Sequence, residues 1–142
     1  LNMATKSGVQ VNDEVIKAFN DMKMNKKYRY ISAAINDAGN EITLENAADR
    51  EAKYADLFNA LPTAPRYYVI DFDFDLGEDG SRSKLVFLYW CPDDSGVRQK
   101  MRYASSKEAM RKKLEGVVEI QANDKAWADE SYIIDKLKGT SK

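Results

Sequence analysis

The stretch from Lys84 to Leu114 constrains the fold more than any other part of the chain. Its first part, Leu85 to Trp90, is a continuous apolar run, which is typical of a strand buried on both faces of a sheet. Cys91 and Pro92 end this strand, and the Asp-Asp-Ser run that follows offers side chains that cap helices. A long basic helical pattern comes next. The stretch therefore predicts a central strand that leads directly into a cationic helix.

Predicted helices and strands alternate along the rest of the chain. Residues 3–11 are small and polar, which predicts a flexible N-terminal arm, and Leu1 and Asn2 are expected to be additions before a natural start at Met3. We predict one α/β (mixed α+β) domain over residues 1–142, with a central mixed sheet of about five strands and helices on both faces. The predicted helices are 12–24, 49–61, 95–116 and a short one around residue 134, and the predicted strands are 28–35, 41–45, 66–75, 85–90 and 117–121.

Several local patterns make finer predictions. Tyr103 to Ser106 interrupts good helix formers, and Ser105 with Glu108 fits a capping box, so we expect a kink or a restart of the basic helix there. Gly116 and Gly139 are predicted to end their helices. Alternation along the strand 66–75 places Asp71 and Asp73 on one face, which we expect to be solvated and not to bind a metal.

Composition and missing residue types exclude several classes of function. Lys plus Arg (22) and Asp plus Glu (23) nearly cancel, to a net charge of −1, which argues against a nucleic-acid binder. The chain has no histidine, so Ser-His and Cys-His nucleophile pairs and histidine zinc sites are impossible. There is no glycine-rich phosphate loop and no run long enough to span a membrane. We therefore expect no enzyme, no cofactor and no transmembrane segment, and the single Cys91 fits a reducing compartment.

The basic helix combines an apolar stripe with cations. At about 100° per residue, Val97, Met101 and Ala104 share one narrow stripe, with Arg98 on one side and Lys100 on the other. Such a ridge suits an apolar cleft with an acidic rim in a partner protein. The alternative is that the stripe faces the core and the cations are a solvated surface. Glu–Lys pairs four residues apart are nearly absent, so the cations should repel one another, which favours a surface kept for a partner.

Two segments of this region closely resemble the ADF/cofilin family of actin-binding proteins. Trp90 to Asp93 matches the family pattern of Trp, any residue, Pro, then an acidic residue. Val97 to Lys107, which reads VRQKMRYASSK, matches the family's long Lys-Met and Tyr-Ala-Ser-Ser-Lys motif. Further similarity extends along the whole chain, at Ser7 to Val9, at Ala18 to Lys23, and from Leu61 to Tyr67.

The resemblance implies an actin-depolymerising-factor homology domain of the cofilin type. It implies binding to actin monomers, with preference for the ADP form, and to filaments, which the protein would sever and depolymerise and so turn over faster. The implied protein is a cytoplasmic monomer of the actin cytoskeleton without catalytic activity. Two alternatives share the fold: action on Arp2/3 branches, as in glia maturation factor, and filament binding without severing, as in coactosin.

The resemblance also implies candidate site residues. The implied monomer-binding residues are Ser7, Gly8, Arg98, Lys100 and Met101, and the implied filament-binding residues are Arg82, Lys84, Asp135 and Lys136. Ser7 matches the family's inhibitory phosphorylation site, where phosphate would repel the acidic surface of actin. Phosphoinositide head groups are expected to bind, and so to block actin, at Arg98, Lys100, Lys107, Arg111 and Lys112.

One departure from the family pattern bears on filament binding. Gly139 stands three positions after Lys136, where many members carry a further basic residue. We therefore expect weaker filament binding than monomer binding, unless Lys138 takes the place of the missing cation.

Overall fold

A six-stranded mixed sheet runs through the middle of the protein, in the order β1-β3-β2-β4-β5-β6. The computed structural model describes residues 8–140. The outer pairs, β1 with β3 and β5 with β6, are parallel, and the three inner pairs are antiparallel. The strands are Gln10–Val11 (β1), Tyr28–Ile35 (β2), Glu41–Asp49 (β3), Arg66–Asp75 (β4), Ser81–Trp90 (β5) and Val118–Ala122 (β6).

Helices cover both faces of this sheet, which confirms the predicted architecture. In the described residues they are Asp13–Asn25 (α1), Tyr54–Asn59 (α2), Val97–Arg111 (α3), Lys125–Ala128 (α4) and Glu130–Thr140 (α5). Buried residues of α1 and α3 pack on one face, and those of α2, α4 and α5 pack on the other. Alternation along β4 feeds both cores, since Tyr67 points into the first and Tyr68 into the second.

The predicted flexible arm over residues 3–11 is wrong for its last part. Val9 is only 2% exposed and belongs to the core beneath α1 and α3. The backbone of Gln10 donates to the carbonyl of Asn40 at 3.0 Å, and β1 adds a sixth strand to the predicted five. A buried apolar side chain and a strand ladder hold this segment down, although its composition is polar. Ser7 and the residues before it lie outside the described part of the chain.

The predicted helix over 49–61 is too long, and the predicted strand over 41–45 is too short. β3 continues to Asp49, which pairs with Tyr28 across the sheet. α2 begins only at Tyr54 and buries Tyr54 and Leu57. The helix-forming residues Ala47 and Ala48 are strand residues here because the long-range ladder with β2 outweighs local propensity.

Helix α3 runs without a break from Val97 to Arg111, so the predicted restart at Ser105 is wrong. Tyr103 and Ser106 lie on its buried face. The Ser105 hydroxyl donates to the carbonyl of Arg102 at 3.1 Å within the same helix and caps no new one. The lower helix propensity at these positions therefore reflects a packing requirement, since an aromatic and a small residue fit against the sheet there.

The predicted helix ends at Gly116 and Gly139 are also wrong. α3 ends at Arg111, because Leu114 turns into the core, where it is 3% exposed. Gly116, with φ +86°, lies in the turn that follows. α5 continues through Gly139 to Thr140, whose hydroxyl donates to the carbonyl of Leu137 at 2.8 Å. A glycine in an exposed last turn costs a helix only about 1 kcal/mol.

The expected solvated face of β4 is solvated at Asp73 but not at Asp71. The Asp71 side chain is 1% exposed, whereas that of Asp73 is 54% exposed. Arg50 lies 2.9 Å and Lys26 3.4 Å from Oδ2 of Asp71. These cations, from elements distant in sequence, make the burial of this carboxylate tolerable.

A pair of tyrosines fastens α3 to the sheet. The Tyr67 hydroxyl donates to the carbonyl of Tyr103 at 2.5 Å, and the two ring centroids are 5.1 Å apart. The Tyr103 hydroxyl in turn accepts from the backbone N–H of Ile35 at 2.9 Å. The Tyr103 side chain thus links α3 to β2, and the Tyr67 side chain links β4 to α3.

Removing the Tyr103 hydroxyl should destabilise the fold. Tyr103→Phe leaves the Ile35 N–H without this acceptor, and a lost buried partner costs about 1–3 kcal/mol. The free energy of unfolding in urea measures the change. Tyr132→Phe is the matched control, because its hydroxyl makes no hydrogen bond with another described residue. Equal losses in the two variants would contradict the role given to the Tyr103 hydroxyl.

Alkaline pH should also destabilise the protein. Burial raises the pKa of Tyr54, Tyr67 and Tyr68 above the ordinary value of 10.0. Above that value the unfolded chain releases protons that the folded chain keeps, so the free energy of unfolding falls as pH rises from about 9 to about 12. Urea denaturation at several pH values measures the slope. Tyr68→Phe should flatten this slope, and an unchanged slope in that variant would contradict the prediction.

Candidate functional site

Helix α3 turns its apolar stripe towards solvent. Its buried side is formed by Tyr103, Ser106 and Met110, which face the sheet. Val97 and Met101 lie on the opposite side and are 73% and 67% exposed. The interpretation in which these two side chains face the core is therefore wrong. We call the exposed pair the α3 ridge.

Two cations flank the α3 ridge near the start of the helix. Arg98 is exposed and forms no ion pair with another described residue. Lys100 is half-buried, and its ammonium group donates to the backbone carbonyl of Asp93 in the loop before α3. Since this bond leaves the positive charge without a carboxylate partner among residues 8–140, both cations remain available to an acidic surface.

The N-terminal candidate Gly8 lies next to the core beneath α1 and α3. Gly8 is exposed, with φ +75°, a conformation that a residue with a side chain adopts only with strain. Its neighbour Val9 lines a groove of about 260 Å³ together with Ala109 and Lys112 at the end of α3. The structure therefore brings Gly8 to the α3 side of the sheet, and Ser7 lies just outside the described residues.

The cations in the second half of α3 are not mutually repelling, contrary to expectation. Lys107 lies 2.6 Å and Arg111 3.9 Å from the carboxylate of Glu119 in β6, and Arg111 lies 3.3 Å from Glu108. The neutralising residue Glu119 comes from another element, which a helix pattern cannot reveal. The five phosphoinositide candidates are thus divided between unpaired Arg98 and Lys100, paired Lys107 and Arg111, and exposed Lys112 beyond the helix end.

The filament candidates on β5 lie on the opposite face of the sheet. Arg82 is exposed, and its guanidinium donates to the carbonyls of Asp79 and Ser81 at 2.9 and 3.0 Å. Lys84 is half-buried and sits across the ladder from Phe72. Because side chains alternate along β5, both cations share a face with Val86, which packs against α5 and its neighbours.

The remaining filament candidates lie on α5. Ile133 and Leu137 are fully buried and fix this helix on the sheet. Asp135 and Lys136 are exposed, and the Lys136 ammonium lies 5.2 Å from the ring centroid of Tyr132, a cation–π contact. The structure thus gathers the two pairs of filament candidates on one face of the sheet and the described monomer candidates on the other.

The sequence pattern did not reveal how the β5 candidates are supported. The Ser83 hydroxyl, which lies between Arg82 and Lys84 in the chain, donates to Oδ1 of Asp73 at 2.5 Å. This hydrogen bond is the main reason that the pKa of Asp73 lies below its usual range. The predicted hairpin gives a usable signal, because its register places Asp73 opposite Ser83.

The described residues contain neither a cluster of metal-binding side chains nor a membrane-spanning helix. Between residues 8 and 140, no three side chains of the metal-binding types come together. No helix in that range combines the length and apolar character needed to cross a membrane. Charged side chains thus lie on both sides of the sheet.

Comparison with known proteins gives one consistent family. Residues 8–138 match the profile of the cofilin/tropomyosin-type actin-binding proteins. The chain is 40% identical to the cofilin of Ogataea parapolymorpha, over 96% of this chain and 97% of that protein. It is 34% identical to the actophorin of Acanthamoeba castellanii, over 93% and 96%. The crystal structure of Streptomyces griseoflavus cofilin superposes with a TM-score of 0.84 at 35% identity, over 91% and 96%.

Loss of the α3 ridge should leave the fold intact. Val97→Ser combined with Met101→Ser removes exposed apolar atoms, so the free energy of unfolding should change by no more than about 0.5 kcal/mol. Met110→Ala, on the buried side of the same helix, should cost about 2–5 kcal/mol. Urea denaturation measures both. A large loss in the ridge variant would show that the ridge packs against the protein.

Proposed function

The chain belongs to the family of cofilin/tropomyosin-type actin-binding proteins, and from this premise we propose that it binds actin monomers and filaments and severs and depolymerises the filaments. The observation that carries the proposal is the α3 ridge, two exposed apolar side chains between the unpaired cations Arg98 and Lys100. The activity is one of binding, in the cytoplasm and by a monomeric protein, with no bond made or broken.

Actin monomers bind the surface around the α3 ridge. Val97 and Met101 enter an apolar cleft between two actin subdomains, where burying each side chain contributes about 1.5–3 kcal/mol. Arg98 and Lys100 then meet the acidic rim of that cleft and set the orientation. Ser7 and Gly8 extend the contact from the N-terminal side. The ADP form of actin is the preferred partner.

Filaments use a second surface, formed by Arg82, Lys84, Asp135 and Lys136. Its support is the placement of all four residues on the sheet face opposite α3. A single molecule can then contact two actin subunits, one on each side, and hold them at an altered angle. A changed twist strains the filament and promotes severing. Gly139 removes one cation from this surface, which Lys138, half-buried on the same helix, replaces only in part.

Regulation acts on the monomer surface. Phosphate on Ser7 would add roughly −1.5 to −2 charges to the surface that we propose meets actin, and so weaken binding. Phosphoinositide head groups compete for Arg98 and Lys100. Lys107 and Arg111 share Glu119, so they contribute less to that competition than Lys112 does.

Co-sedimentation with actin filaments at low salt tests the proposed function. The protein should pellet with filaments and accelerate their disassembly. Imaging of single filaments should show cuts along their length, and binding without cuts would instead indicate coactosin-like behaviour. Dissociation of Arp2/3 branches without filament binding would indicate the activity of glia maturation factor. No binding at low salt would refute all of the proposed filament chemistry.

Removing the two flanking cations should abolish monomer binding. Arg98→Ala with Lys100→Ala takes away both unpaired charges beside the α3 ridge, and each charge contact in such an interface is worth about 1.5–3 kcal/mol. Affinity for a fluorescent ADP-actin monomer is the measurement, with circular dichroism to verify the fold. Lys17→Ala with Lys27→Ala, on and just after α1, is the control of equal charge. Unchanged affinity in the folded double variant would mean that the face is misassigned.

A further inference from the structure

We infer that Asp73 and Ser83 are positioning residues for filament binding, because they hold Arg82 and Lys84 on the face that meets the filament. This inference rests on the proposed function and extends it to residues that contact no actin themselves. It starts from the part of the sheet in which Arg82 and Lys84 lie.

That part of the sheet is a two-stranded ribbon. β2 pairs with β4 only as far as Ile70, and β6 pairs with β5 only from Val86 onward. Residues 71–75 and 81–85 therefore pair only with each other. An isolated two-stranded hairpin is at best marginally stable in water, so the ribbon needs side-chain contacts to keep its shape.

One face of the ribbon is held by apolar packing. Phe72 and Phe74 are 3% and 7% exposed and belong to the core beneath α2, α4 and α5. Arg82 and Lys84 lie across the ladder from these two rings, on the same face. Arg82 and Lys84 thus lie at the edge of the apolar core that covers this face of the sheet.

The other face is held by polar contacts. Arg29 donates to Oδ2 of Asp73 at 3.0 Å and to the carbonyl of Asp71 at 2.8 Å, and Arg50 approaches Oδ2 of Asp73 to 3.9 Å. The second oxygen of Asp73 accepts from the hydroxyl of Ser83 at 2.5 Å. Asp73 therefore connects β5 to arginines that belong to β2 and to the end of β3.

The Arg50 side chain anchors this network in the sheet. Its guanidinium also donates to Oδ2 of Asp71 at 2.9 Å and to the carbonyl of Tyr28 at 3.1 Å. The Asp71 side chain is 1% exposed, so this end of the network lies in the protein interior. The chain of contacts runs from a buried carboxylate, through Arg50 and Asp73, to the exposed Ser83.

The pairing of Asp73 with Ser83 fixes the register of the ribbon. A slip of one residue in a strand moves every side chain to the opposite face. Here it would turn Ser83 towards the apolar layer and carry Arg82 and Lys84 away from α5. The short hydrogen bond from Ser83 to an arginine-held carboxylate stabilises the register that presents both cations.

Substitutions at Asp73 and Ser83 test the inference in the full-length protein. Asp73→Ala should weaken filament binding about tenfold, which corresponds to about 1.4 kcal/mol, while monomer binding stays unchanged. Ser83→Ala should also weaken filament binding, whereas Ser83→Thr, which keeps the hydroxyl, should bind filaments as the wild-type protein does. Asp21→Ala, which breaks the exposed pair with Lys17 on α1, is the control and should change neither affinity. Filament co-sedimentation and monomer fluorescence provide the two readouts.

Backbone hydrogen exchange provides a measurement that does not depend on actin. In Asp73→Ala, the amides of residues 81–84 should exchange faster, while those of β2 and α3 keep the rates of the wild-type protein. Exchange rates unchanged in the ribbon would refute the positioning role even if filament binding fell.

The outcomes separate this inference from the proposed function. If Arg82→Ala with Lys84→Ala weakens filament binding and Asp73→Ala does not, the filament surface stands and the positioning role is wrong. If the wild-type protein binds filaments and both variants bind them equally well, the filament surface itself is misassigned. The positioning role would then also be wrong. Equal loss of monomer and filament binding in Asp73→Ala would indicate general destabilisation and would also refute the inference.

Discussion

The contact between Tyr67 and Tyr103 determines what the rest of α3 can do. A helix that packs on a sheet must bury one side. Here the ring of Tyr103 sets the buried side, with its centroid 5.1 Å from that of Tyr67. The backbone carbonyl and the side-chain hydroxyl of Tyr103 both accept hydrogen bonds from the sheet. Since side chains on a helix turn by about 100° per residue, fixing Tyr103 inward also fixes Val97 and Met101 outward. The exposed position of the α3 ridge is thus a consequence of core packing, and contacts within the protein fix it before any partner binds.

Strand β5 and helix α3 distribute one continuous stretch over two sides of the molecule. Lys84 lies on the face that carries α5, and the strand then passes through the centre of the sheet to Trp90. The loop after Pro92 leads the chain over to the opposite face, where α3 packs on Tyr67 and Phe87. Because a packed sheet deforms little, the distance between the two surfaces is fixed. The proposal that one molecule holds two actin subunits at an altered angle requires such a fixed distance.

Sequence periodicity was sufficient where an element's own residues decide its structure. The alternation of β4, the spacing of α1 and the outward stripe of α3 were all readable in this way. It failed where the deciding residue lies far along the chain. The ladder to Tyr28 makes residues 46–49 a strand, Arg50 and Lys26 permit the burial of Asp71, and Glu119 pairs with Lys107. Ser105 resembled a helix cap because a local pattern cannot show that the neighbouring Tyr103 packs against the sheet and keeps the helix continuous.

The same distinction applies to charge. The sequence pattern predicts that the cations of α3 repel one another, whereas the fold divides them into two groups. Glu119, beneath the second half of the helix, pairs with Lys107 and Arg111, while Arg98 and Lys100, at the first turn, meet no carboxylate among residues 8–140. A cation that is already paired within the protein attracts a partner's carboxylate less, since its own carboxylate partner balances part of its charge. Arg98 and Lys100 therefore offer unpaired charge beside the α3 ridge, where apolar and charged contacts can be made together.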